Sequence, residues 1–136
     1  MKIFALKGRR ECGKSETLGI HLRALLTGKE YPREEWNSSK DVRECVSYKG
    51  KVVDICPPGD NADIVEKNIA FIKENPCEVV FTATRTRGGS WDTLLEFAIS
   101  VGAELIEEWK HYDDSLAKEG QTEENRKLAR RLLLMI

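Results

Sequence analysis

Gly8-Arg9-Arg10-Glu11-Cys12-Gly13-Lys14-Ser15 fits the pattern G-x-x-x-x-G-K-[ST] without a mismatch. Apolar Ile3-Phe4-Ala5-Leu6 precede it, and apolar residues at helical spacing, Leu18, Leu22, Leu25 and Leu26, follow it. The stretch therefore reads as the turn from a strand into a helix. Gly8 and Gly13 permit backbone angles that a side chain would forbid. Several N–H groups can then turn inward around a phosphate at a helix N-terminus, where the helix dipole favours negative charge. Lys14 has the length to reach β- and γ-phosphate oxygens, and the Ser15 hydroxyl is a ligand suited to Mg²⁺.

Working outward, residues 2–7 read as a first strand and 13–27 as a first helix closed by Gly28. Residues 28–41 contain Pro32, Asn37, Ser38 and Ser39 with two aromatics, Tyr31 and Trp36, show no clean period, and read as a loop. Residues 42–48 and 51–56 are β-rich runs separated by Lys49-Gly50, a hairpin signature. A helix is expected over 61–74, stopped by Asn75-Pro76, and a buried strand over 78–83. A polar segment, 84–90, leads to a helix over 91–101, capped by Ser90 and closed by Gly102. A strand over 104–109 and a terminal helix from about Thr122, carrying Leu128, Leu132 and Leu133, complete the chain. This alternation predicts one domain, 1–136, of the α/β class: three layers, a mostly parallel sheet of about five strands with one antiparallel hairpin strand, and helices on both faces.

Ligands of such sheets lie beyond the carboxyl ends of the strands. That rule collects the 8–15 loop, the segment after Asp54 and the 84–90 loop on one rim. The expected phosphate cradle comprises Gly8, Arg9, Arg10, Glu11, Cys12, Gly13, Lys14, Ser15 and Glu16. Asp54, embedded in Val52-Val53-Asp54-Ile55-Cys56, is the expected second metal ligand beside Ser15, with Asp60 next in line, because a carboxylate in an apolar strand is costly unless paired or facing a metal. Arg85 and Arg87 are candidates, with Lys14, for stabilising transferred phosphate charge. Cys12 occupies a free position of the pattern, and His21 and His111 read as surface residues.

The chain of 136 residues has 22 basic and 23 acidic side chains and no basic block, so nucleic acid is not indicated as a partner. Its four cysteines lack C-x-x-C spacing, which argues against a structural zinc site and for reduced thiols. No apolar run approaches a membrane span, and a cytoplasmic protein is expected.

The Gly8–Ser15 loop is the Walker A signature, and the chain resembles the P-loop NTPase superfamily. Asp54-Ile55-Cys56-Pro57-Pro58-Gly59 is similar to the D-x-P-P-G segment of MinD/ParA-like ATPases, in which the acid serves the Mg²⁺ site. This chain has two residues between acid and prolines where that group has one, and Arg9 where that group has its signature lysine. The second departure leaves open whether Arg9 serves a neighbouring subunit's phosphate in a homodimer. The resemblance implies bound ATP or another NTP and Mg²⁺; the loop, the acid and the little room for a second substrate favour slow hydrolysis, with conformational change in the loops after Gly28 and Asp54 as its output. With no N-K-x-D to read guanine, adenine is the favoured base. Two alternatives accompany this reading. One is a small kinase passing the γ-phosphate to a nucleotide or metabolite near Arg85, Arg87 and residues 104–114. The other is a non-hydrolysing module whose bound nucleotide switches a surface for a protein partner, with Trp36 and the Leu-rich terminal helix as that surface.

Overall fold

A computed structural model describes residues 1–136. Strand β1, Lys2–Lys7, is buried from Ile3 onward and leads into the loop. Helix α1 covers 14–27 in three continuous stretches: α-helical at Lys14–Glu16, π-helical at Thr17–Leu22, and α-helical again at Arg23–Thr27, closed by Gly28 in the left-handed conformation. A 3₁₀ turn at Arg33–Glu35 and a short helix α2, Trp36–Ser39, follow. Then come β2, Glu44–Tyr48; β3, Lys51–Cys56; α3, Ala62–Glu74; β4, Val79–Thr84; α4, Gly89–Val101; β5, Glu104–Trp109; and α5, Lys118–Leu133.

The five strands form one mixed sheet in the order β2-β3-β4-β1-β5. Strands β3, β4, β1 and β5 run parallel, while β2 pairs antiparallel with β3 through the Lys49-Gly50 turn. The odd strand out is the hairpin strand, as the short turn requires. Because side chains alternate across a strand, β1 sends Phe4 and Leu6 to one face and Ile3 and Ala5 to the other. The first face packs on Leu18, Leu22 and Leu26 of α1 and on Leu128, Ala129 and Leu132 of α5. The second packs on Val65 and Ile72 of α3 and on Leu94, Phe97 and Ala98 of α4. Helices thus cover both faces, and no helix is long and apolar enough to cross a membrane.

Several local expectations change. Residues 28–41 are not all loop: Trp36 is buried, its indole N–H donates to the Tyr31 carbonyl at 2.6 Å, and α2 starts at this anchored residue. Ser90 lies within α4, where its hydroxyl accepts from the Arg85 N–H at 3.0 Å; the helix starts at Gly89 with no side-chain cap. Helix α5 begins at Lys118, four residues before Thr122. The π stretch widens α1, so a 3.6-residue period no longer tracks its buried side. All six residues 17–22 are buried, including His21, whereas Leu25, expected inside, is exposed.

Candidate functional site

Four parallel strands end at the same edge of the sheet, and the segments after β1, β3 and β5 line one cavity of about 600 Å³, while the segment after β4 does not. Its floor is Glu11 to Glu16, one side carries Asp60 and Lys40, and the other is made by residues between Tyr112 and Asn125.

The loop is held open by specific contacts. The Gly8 N–H donates to Thr84 O at 3.3 Å, and Lys110 N–H donates to Lys7 O at 2.8 Å, tying the loop's start to β4 on one side and to the end of β5 on the other. Glu11 and Gly13 both have positive φ, 57° and 105°, which reverses the chain twice within three residues. None of the backbone N–H groups from Arg9 to Gly13 enters a backbone hydrogen bond, and the first turn of α1 adds further N–H groups without helical partners. Such a run of free N–H groups at a helix N-terminus has the form of an anion cradle. Gly13 is needed there for its angle, as expected. Gly8 is needed instead for space: a Cβ would stand 2.6 Å from Cys12 Sγ and 2.7 Å from Lys110 O.

Lys14 is buried, and its ammonium donates to Gly8 O at 2.6 Å and Arg9 O at 2.8 Å. Two neutral carbonyls hold the charge inside the curve of the loop without neutralising it. Burial pushes the Lys14 pKa below the usual lysine value, with Arg85 adding to that and Cys12 and Asp60 opposing it. An anion entering the cradle relieves the same cost.

The cradle residues divide by direction. Glu11, Cys12, Gly13, Lys14, Ser15 and Glu16 line the cavity. Arg9 turns its guanidinium to the Tyr112 ring at 4.7 Å and to Asp114 at 3.7 Å, and Arg10 is exposed without an ion pair. Glu16 is fixed from behind: its carboxylate accepts from Asn125 Nδ2 at 2.7 Å and lies 3.1 Å from His21 Nε2. Burial alone would raise the Glu16 pKa, but the His21 and Asn125 hydrogen bonds outweigh it and hold the carboxyl below its usual range. His21 is therefore a buried strut, not a surface residue, and His111 is exposed as expected.

Asp54 is not brought to this site. It pairs in register with Val80 of β4, which pairs with Ile3, so Asp54 lies level with a residue five positions before Gly8. Its side chain is fully buried, neither oxygen meets an N–H or O–H donor, and its polar neighbours are the thiols of Cys45 and Cys77. Burial raises its pKa, and burial together with the Asp54 charge pushes the thiols up to about 11 for Cys45 and about 12 for Cys77.

Asp60 takes the place at the rim. The segment after β3 crosses the end of β4, where Gly59 lies so close that a Cβ would stand 1.7 Å from Ala83 O. Asn68 of α3 secures the crossing: its Nδ2 donates to Pro58 O at 2.7 Å while its Oδ1 accepts from Arg43 at 2.6 Å. Asp60 lines the cavity with Ser15 and lies 4.0 Å from Arg85 Nε. Arg85 is thus near the site through Asp60, while Arg87 is exposed in the 85–88 turn, makes no ion pair and does not line the cavity.

Three residues had no motif to mark them. Thr84 ends β4 beside the loop with a buried hydroxyl that lacks a partner. Asn125 is buried against Gly13, its Oδ1 unpartnered. Tyr112 forms the cavity's outer wall. Thr84 was placed only as the first residue of the 84–90 rim segment and Tyr112 only within the 104–114 region named for a second substrate, and nothing marked Asn125.

Compared with protein-family models, curated proteins and solved structures, the chain finds no match.

Proposed function

We propose that this protein binds a nucleoside triphosphate with Mg²⁺ on the 8–15 loop and hydrolyses it, ATP being the favoured nucleotide. The observation that carries the reading is the buried Lys14 ammonium, held on two loop carbonyls beside a run of unused N–H groups, in a residue that lines the cavity. A buried cation aimed at a cradle of donors is matched by a polyanion and by little else.

In this reading Lys14 and the loop N–H groups bind the phosphate oxygens and stabilise the charge that grows on them as the terminal phosphoryl group leaves. The donor set fits Mg²⁺: Ser15 and Asp60 supply hard oxygen ligands on one cavity, and this ion retains water and phosphate oxygens for its other positions. When bound, the ion neutralises phosphate charge and orients the terminal group. Asp60, not Asp54, is the residue proposed for this role. Arg85, paired with Asp60 at the rim, is proposed to add positive charge near the terminal phosphate, and no role is retained for Arg87. Glu16, clamped by Asn125, fixes the first turn of α1 and so the direction of the N–H groups.

Release of inorganic phosphate from Mg-ATP tests this. The native protein turns over; Lys14→Ala reduces the rate by about 100-fold or more, the scale of one transition-state contact. Asp60→Asn shifts the Mg²⁺ dependence to higher concentration, and Asp54→Asn leaves it in place. Phosphate release that persists in Lys14→Ala contradicts the proposal.

A further inference from the structure

The cavity is larger than a phosphate cradle requires. Its 600 Å³ falls within the range of about 300 to 1,000 Å³ typical of whole small-molecule sites, and the loop supplies only its floor. The wall beyond the loop comes from the β5–α5 segment and the first turns of α5, and beside the cation of Lys118 and the hydroxyl of Thr122 it carries groups a phosphate does not need: an aromatic ring at Tyr112, an aliphatic side chain at Leu116, and the amide of Gln121. Gln121 Nε2 donates to the carbonyls of Asp113, at 2.5 Å, and Leu116, at 3.3 Å, which folds this segment into a fixed turn and leaves the amide oxygen as an acceptor.

Resting on the triphosphate reading of the loop, we propose that this wall is a nucleoside subsite, with the base stacked at Tyr112 and Leu116, so that the ligand is a nucleotide and not an inorganic polyphosphate. Tyr112 is 41% exposed, and the planar group over it, the Arg9 guanidinium at 4.7 Å, is itself mostly in water and tied only to an exposed Asp114. Exposed contacts of this kind exchange readily. A base stacks on a phenol ring or on a guanidinium plane alike, so either member of the pair receives it. The covalent order of a nucleotide matches the cavity: phosphates on the loop at one end, base against an aromatic wall at the other.

Equilibrium titrations with Mg-ATP and with Mg-tripolyphosphate separate the two claims, because tripolyphosphate reports the loop alone. The native protein is expected to bind Mg-ATP at least about tenfold more tightly than Mg-tripolyphosphate. Tyr112→Ala is expected to weaken Mg-ATP by about tenfold and to leave tripolyphosphate within about twofold, while Tyr112→Trp retains the native preference. Equal affinity of the native protein for both ligands overturns the subsite and leaves the loop reading intact, as does a Tyr112→Ala variant that weakens both ligands together. Failure of the native protein to bind either ligand overturns the loop reading, and the subsite with it.

Discussion

Asp54 is the residue on which local pattern and three-dimensional position diverge. An acid in an apolar strand, followed by two prolines and a glycine, has the outward form of a metal ligand. Two facts invisible in a linear reading decide otherwise: β4 lies between β3 and β1, and the register sets Asp54 well back from the sheet edge. What remains is a carboxyl enclosed by thiols, with its pKa raised chiefly by burial. The sign of its effect follows. A raised folded-state pKa in an acid gives stability that is fully present below the unfolded value of 3.8 and is lost as pH rises through the folded value. Asp54→Asn, which cannot ionise, is therefore expected to be more stable than the native protein at pH 7 to 8, by about 1 kcal/mol or about 3 °C in Tm. That advantage shrinks as pH falls toward 4. Thermal unfolding at several pH values measures it, and a variant that is less stable at pH 8 contradicts the assignment.

Among the elements, β1 and β5 have the ends expected from their residues, and so does the Lys51–Cys56 strand, because an apolar run bounded by turn residues has few other solutions. Helix α1 was legible in extent but not in facing, since its π stretch changes the residues per turn. The 57–60 segment was legible as part of the rim, with Asp60 next in line as a metal ligand, but its path was not. Its role, delivering Asp60 over the end of β4, depends on how close Gly59 comes to Ala83 O and on the hydrogen bond from Asn68 to Pro58 O. Gly59→Ala is expected to force the crossing off the strand end, costing about 1 to 3 kcal/mol and raising the Mg²⁺ concentration required for nucleotide binding. Denaturant unfolding and a Mg²⁺ titration check the two parts. A variant of native stability and Mg²⁺ dependence excludes this positioning.

At the scale of the whole molecule, the parallel arrangement of β1, β3, β4 and β5 is what gathers the segments that follow them at one edge. That gathering follows from α/β alternation and was legible from the order of elements. The position of the Gly8–Ser15 loop between β1 and α1 was legible too, because its residues are adjacent in sequence. The far wall was legible only in part: Tyr112 lies in the 104–114 region and follows β5 to the same edge, whereas Gln121 and Asn125 reach the cavity because α5 packs beside α1, a pairing that no local pattern announces. The Asn125–Glu16 hydrogen bond spans 109 residues to connect these two helices. The central claim is that a triphosphate sits on the Gly8–Ser15 loop, and the backbone amide NMR spectrum tests it most directly. On addition of Mg-ATP, the amide resonances of Gly13, Lys14 and Ser15 should shift most in the chain, with smaller shifts at Asp60, and Lys14→Ala should abolish them. Unchanged loop amides at saturating Mg-ATP, or shifts confined to another part of the chain, would contradict it.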